Sequence, residues 1–261
     1  DIFKIDNIIT KIVAIGGGEI GRPGFPVGTT LIDKEIIFLS DKKKPKLLFI
    51  PTASSDSESY FEVVKKHFGK RLGCDVDVLY LIKEKLSKKE IEDKILTSDI
   101  IYVGGGNTLK MMKVWRKLGI DKMLLKARNK GIVLSGISAG AICWFFFGLS
   151  DSLLFSNKNA PMIKVRGLGF IKFLFCPHYD FEKQREPELK KMMKKTFGIA
   201  IAVENCCAIE IVDNNYRVIS SKKTAKAYKI YWKSKKYFKE EILKKKDFTP
   251  IKELAIKNLS I

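Results

Sequence analysis

Short apolar runs separated by amphipathic stretches recur along the first 140 residues. Lys11–Ile15 (KIVAI) and Lys46–Ile50 (KLLFI) have strand length and are closed by Gly16-Gly17-Gly18 and by Pro51. Between Ser57 and Leu72, the residues Phe61, Val64, Phe68 and Leu72 repeat at helical spacing, and Gly73 stands at the C-terminal stop. Asp75–Leu81 alternates as a strand. Ser87-Lys88-Lys89-Glu90 reads as a capping box that opens a short helix with Ile91 and Ile95 inward. Asp99–Val103 is a strand ending in Gly104-Gly105-Gly106-Asn107. One helix follows around Met111, Met112 and Trp115, and another spans about 120–130. Ile132-Val133-Leu134 then leads as a buried strand into Gly136-Ile137-Ser138-Ala139-Gly140. The run Ala141–Phe147 reads as the start of a buried helix.

Strands alternating with helices predict right-handed βαβ units and an α/β fold, with a mainly parallel sheet flanked by helices. Chemistry in such sheets gathers at the carboxyl ends of the strands. Gly16–Gly18, Gly104–Asn107 and Ser138 each follow a strand and are therefore predicted to share one edge. Residues 148–169 read as loop. Phe170–Cys176 is a strand followed by Pro177-His178-Tyr179-Asp180, and a helix begins near Pro187. Ile209–Val212 and Tyr216–Ile219 flank Asp213-Asn214-Asn215 as a β-hairpin. With no repeat and no linker, one domain is expected over 1–261. Residues 233–261 form a Lys-rich C-terminal extension, helical or partly disordered.

Composition adjusts this picture only slightly. An apolar fraction of 46% and a mean hydropathy of −0.04 are those of a globular chain. No apolar run approaches the roughly 18 residues of a membrane span, and no signal-peptide pattern opens the chain. Five cysteines without paired metal spacing fit a reducing cytoplasm. The net charge of +20 is spread over scattered lysines and short clusters. A solvated Lys-rich surface accounts for it better than a dedicated nucleic-acid or membrane site. The expected state is a monomer or homodimer.

The pentapeptide around Ser138 fits both a nucleophile elbow and an ordinary Gly/Ser turn. A serine needs a base, and the chain has two histidines. His67 lies on a helix flank, whereas His178 follows a strand end and is the base by elimination. The base needs an acid to orient it: Asp151 is the first candidate, with Asp180 and Glu182 as rivals. An oxyanion would meet the N–H of Ala139 and one N–H from Gly104–Gly106. Asn107 serves as the cap of the next helix or as a substrate contact. Gly16, Gly18 and Gly21 satisfy the dinucleotide fingerprint, but Arg22-Pro23-Gly24 cannot continue a helix there.

Together, Gly16-Gly17-Gly18-Glu19, Gly104-Gly105-Gly106-Asn107-Thr108, Gly136-Ile137-Ser138-Ala139-Gly140-Ala141 and Cys176-Pro177-His178-Tyr179-Asp180 resemble the peptidase E family of aspartyl dipeptidases and cyanophycinase relatives. The resemblance implies a fold like that of class I glutamine amidotransferases (flavodoxin-like), with no metal and no cofactor. It implies Ser138 as nucleophile, His178 as base, and Gly105 and Ala139 as oxyanion donors. The expected activity is a serine peptidase acting on short peptides, including dipeptides with N-terminal Asp. Arg185 or Lys183 would meet the substrate carboxylate. Phe146 and Phe147 stand where many relatives carry an acidic residue. An α/β-hydrolase esterase is the second enzyme reading, although the short interval from Ser138 to His178 leaves little room for it. A catalytically silent peptide-binding relative is the third.

Overall fold

A computed structural model of the chain describes residues 10–256 apart from 182 and 197. β1 (Lys11–Ile15) is followed by α1 (Thr30–Leu39), β2 (Lys46–Ile50), α2 (Glu58–Val64), β3 (Asp75–Val78) and α3 (Lys88–Leu96). Then come β4 (Ile100–Val103), α4 (Thr108–Leu118), α5 (Ile120–Asn129) and β5 (Val133–Ile137). β1, β5, β4, β2 and β3 lie side by side in that order, all in parallel. Strands covered on both faces are apolar along their whole length rather than on alternate residues. β4 and β5 accordingly bury every side chain, and β1 and β2 all but their first.

The helix boundaries follow the local chemistry. Ser87 and Glu90 form the predicted reciprocal capping box on α3, with bonds of 3.2 and 2.7 Å. Gly119, in the left-handed region, closes α4. α2 does not stop at Val64 but winds on as a π-helical segment, Lys65–Arg71, that buries His67 and Phe68.

After β5 the structure departs from the sequence reading. α6 (Ala139–Ile142) is a single turn, and Phe145–Phe147 belong to β6 (Phe145–Ser150) rather than to a helix. Aromatic residues fit a pleated, half-buried surface, and Phe146 is part-exposed while Phe145 is buried. The stretch read as loop also contains β7 (Ile163–Arg166). β8 (Ile171–Cys176), α7 (Arg185–Lys194) and β9 (Ala200–Val203) follow. The predicted hairpin, β10 (Cys207–Val212) with β11 (Asn215–Ser220), joins the first sheet antiparallel to β1.

The Lys-rich region is not helical over its first part. β12 (Ala227–Lys233) and β13 (Lys236–Glu241) form a hairpin turned by Ser234 and Lys235, both at positive φ. Lysines on such an edge strand stay solvated and discourage pairing with another chain. β14 (Thr249–Pro250) completes the edge of the first sheet, giving the order β14-β11-β10-β1-β5-β4-β2-β3. The second sheet runs β13-β12-β9-β8-β6-β7, with β6, β8 and β9 parallel. Among the described residues, no helix is long and apolar enough to cross a membrane.

Candidate active site

β1 is central to the first sheet, and its exit organises the site. Three successive carbonyls there each hold a different loop: Ile15 accepts from Ser138 N–H at 3.0 Å, Gly16 from His178 N–H at 2.9 Å, and Gly17 from Cys206 N–H at 2.8 Å. The Gly16-Gly17-Gly18 turn therefore gathers three strand ends rather than phosphates. A side chain on Gly17 would collide with the His178 imidazole and the Asn205 amide, so glycine is required where they meet. The predicted common edge is present, because β1, β5 and β4 are neighbours and their carboxyl ends carry Gly16–Gly18, Ser138 and Gly104–Gly106.

Ser138 has φ 57° and ψ −114°, a strained backbone for a non-glycine residue. The turn tolerates it because Gly136 and Gly140 sit where added side chains would strike the Gly140 and Val103 carbonyls. The turn presents the hydroxyl to His178, with Ser138 Oγ 2.8 Å from His178 Nε2. On the other side of the ring, His178 Nδ1 lies 2.8 Å from Asn205 Oδ1. An amide oxygen only accepts, so Nδ1 carries the proton and the Nε2 lone pair is left for the serine hydroxyl. The parallel pairing of β8 with β9 brings His178 and Asn205 together, since each follows the carboxyl end of its strand.

Asn205 is the residue that the sequence reading missed, and Asp151 is corrected. Asp151 starts the 3-10 turn Ser152–Phe155, and its carboxylate lies 3.5 Å from the Arg185 guanidinium, while His178 has Asn205 instead. Arg185 is 1% exposed and donates to the Leu149 carbonyl at 3.3 Å. It is thus committed to the core and does not line the cavity at Ser138. Asp180 supports the site at one remove: its carboxylate accepts the Asn205 backbone N–H at 2.7 Å. Glu182 lies outside the described residues. The neighbouring Glu204 turns away from His178, accepting from Lys226 N–H at 2.8 Å and from the Tyr228 hydroxyl at 3.2 Å. Asn107 is the cap of α4, accepting from Lys110 N–H at 2.9 Å, and its amide nitrogen donates to Ser152 O at 3.0 Å. Replacing Asp151 with Asn is expected to leave kcat within about threefold and to lower Tm by a few degrees, the usual scale of one lost ionic contact. Parallel turnover and melting measurements check this; a loss above tenfold in a folded variant would return Asp151 to the site.

His67 packs inward from its helix flank. It is buried, with Nε2 2.8 Å from Asp33 Oδ2, which also accepts from the Thr29 hydroxyl at 2.7 Å. Burial raises the Asp33 pKa, against the opposing effect of His67 and Thr29. This cluster lies between α1 and the π-helical segment, and none of its three residues lines the cavity at Ser138.

Two backbone N–H groups lie close to the serine. Ala139 is the first residue of α6, where no helical carbonyl can reach its N–H. Gly105 follows β4, and a Cβ placed on it would lie 3.4 Å from Ser138 Cβ. Ser138 and His178 open onto a cavity of about 1010 Å³ floored by Ile137 and Gly105 and walled by Ile20, Phe25, Tyr60 and Val63. Charge enters the wall through Glu19, Arg22, Glu62 and Lys66. Burial works against the Glu19 charge, but the Arg22 and Gly21 N–H groups and the Arg22 guanidinium, 2.7 Å away, outweigh it and hold its pKa down.

An α/β sheet with a strained serine at a strand-to-helix turn, a histidine at hydrogen-bond distance and a cavity in front defines a hydrolase of the serine type. The sequence profile of peptidase family S51 matches residues 12–219, and the chain belongs to that family. It is 36% identical over 222 residues to "Uncharacterized peptidase YgaJ" of Bacillus subtilis (strain 168), covering 84% of this chain and 91% of the relative. It is 25% identical over 137 residues to "Peptidase E" of Streptomyces coelicolor, about half of each chain (51%). The crystal structure of a peptidase from an acI-B1 Actinobacterium shares the fold, with a TM-score of 0.70 at 19% identity over 94% of this chain and 98% of that one. The protein is thus a peptidase, and the esterase reading falls away.

Proposed function

We propose that this peptidase cleaves short peptides through an acyl-enzyme on Ser138, with His178 as base and Asn205 in the place usually held by a carboxylate. One observation carries the reading: the unbroken line from Ser138 Oγ through both His178 nitrogens to Asn205 Oδ1, at the mouth of the cavity. His178 Nε2 takes the hydroxyl proton as Ser138 Oγ attacks the peptide carbonyl. The carbonyl oxygen gains negative charge against the N–H group of Ala139, on the side where Gly105 approaches Ser138. As the C–N bond breaks, Nε2 returns the proton to the departing amine. Water, deprotonated by the same nitrogen, then releases the acyl group. Asn205 fixes the tautomer and the ring orientation. Being neutral, it stabilises the imidazolium less than a carboxylate does.

The finer preference, for an N-terminal Asp, requires a cation at the cavity. Arg22 is bound to Glu19, whereas Lys66 forms no ion pair among the described residues. We assign the carboxylate contact to Lys66 in place of Arg185. A fluorophosphonate probe should label Ser138 in the folded protein, and a dipeptide library should show N-terminal Asp substrates enriched in the wild type and no longer enriched in Lys66→Ala. An unlabelled Ser138 with undiminished hydrolysis would reject the mechanism. A flat library profile in the wild type would reject only the Asp preference.

A further inference from the structure

Tyr60 stands at the candidate oxyanion site. Its hydroxyl oxygen accepts the Gly105 N–H at 3.3 Å, so it lies within reach of one of the two backbone donors beside Ser138. The ring is held on two sides. It packs edge-on against Phe49, with centroids 5.1 Å apart at 67°, and it lies over Gly104, where a Cβ would approach the ring carbon Cε1 to 2.9 Å. Its backbone is fixed as well, because Tyr60 N–H donates to the Ser57 hydroxyl that caps α2, at 3.2 Å. Among the described residues, no group accepts the phenol's own proton. A hydroxyl that accepts a backbone N–H and keeps an uncommitted proton is poised to donate to an anion at that place.

We propose that Tyr60 is a catalytic residue, an oxyanion donor whose O–H, with its oxygen held by the Gly105 N–H, turns to the tetrahedral oxygen formed beside Ala139. This rests on the assignment of Ser138 as nucleophile. The alternative is a plug, a phenol that fills the oxyanion position and has to leave before the substrate carbonyl binds. The packing opposes that role, since the ring cannot swing away without breaking its contacts with Phe49 and the Gly104 backbone. A fixed donor needs no reorganisation during the reaction, which is the condition under which oxyanion donors act most strongly. The phenol also stays protonated. Burial, partly offset by the Gly105 N–H, pushes its pKa up to about 12, so it remains a donor throughout the range in which His178 can act as base.

The test is Tyr60→Phe in the full chain, assayed on the best peptide of the library alongside Ser138→Ala. Loss of one oxyanion donor lowers kcat by about 100-fold, so that fall is expected, with KM within about threefold and Tm unchanged. An unchanged or raised kcat would overturn the proposal and favour the plug, and a KM effect without a kcat effect would make Tyr60 a binding residue instead. Activity persisting in Ser138→Ala removes the nucleophile assignment whatever Tyr60→Phe does, so the two failures are separable. If Tyr60→Phe does not fold, 3,5-difluorotyrosine at position 60 keeps the shape and makes the phenol more acidic. Activity should then collapse at alkaline pH, as the phenol loses its proton and the resulting phenolate faces the oxyanion with like charge. An alkaline limb identical to that of the wild type would overturn the proposal.

Discussion

Ser138→Ala is expected to lower kcat by about 10⁴–10⁶-fold, and adding His178→Ala to it is expected to cost little more. The two residues act as one unit. Without the hydroxyl the imidazole has no proton to take, and without the imidazole the hydroxyl stays protonated at neutral pH. What remains in either variant is the contribution of the cavity and the backbone donors. Single and double variants measured on one peptide check this. If the two effects multiplied, the serine and histidine would be acting independently, against their 2.8 Å contact.

Asn205→Ala is expected to reduce kcat by about 10²–10³-fold. The imidazole loses the acceptor that places its proton on Nδ1, and a wrongly protonated ring in such a site costs about 10⁴-fold. Asn205→Asp should behave differently. A carboxylate 2.8 Å from Nδ1 favours the imidazolium and so raises the His178 pKa. The base works only when unprotonated, so the acid limb of kcat/KM should move to higher pH, while kcat on the plateau holds or rises. pH–rate profiles of the three proteins decide the matter. An acid limb that stays in place in Asn205→Asp, or full activity in Asn205→Ala, would remove Asn205 from the mechanism.

Much of this site is legible in the sequence, because the strand–turn rhythm of residues 11–138 puts glycines and Ser138 on one edge whatever the tertiary detail. His178 is legible by scarcity, the other histidine being buried against Asp33. Asn205 is not, for two reasons. A search for a third member looks for a carboxylate, and an amide between Glu204 and two cysteines carries no such signal. Its partner is also chosen by the pairing of β8 with β9, which no local pattern reports. Asn205 obeys the strand-end rule applied to Ser138, lying two residues beyond β9, but the sequence reading does not single out β9 as a strand. Asp151 has in its favour its place in the chain, between the serine and the histidine, and its acidic side chain. The second sheet was harder to read. The Phe145–Phe147 run suits a helix or a strand equally well until Gly148 is seen packed against the Ile142 side chain.

The three carbonyls at the exit of β1 have a bearing on how the enzyme comes into being. On the ribosome, Ser138 emerges forty residues before His178, and His178 twenty-seven before Asn205. β1 itself waits for β10 as its antiparallel neighbour, with Ile15 opposite Ala208. Until that late strand docks, the nascent chain holds a serine with no assembled proton acceptor. Contacts between such distant segments form slowly, because the intervening loop has to close first. The line from Ser138 through His178 to Asn205 is therefore complete only once the chain beyond residue 205 has folded back onto β1.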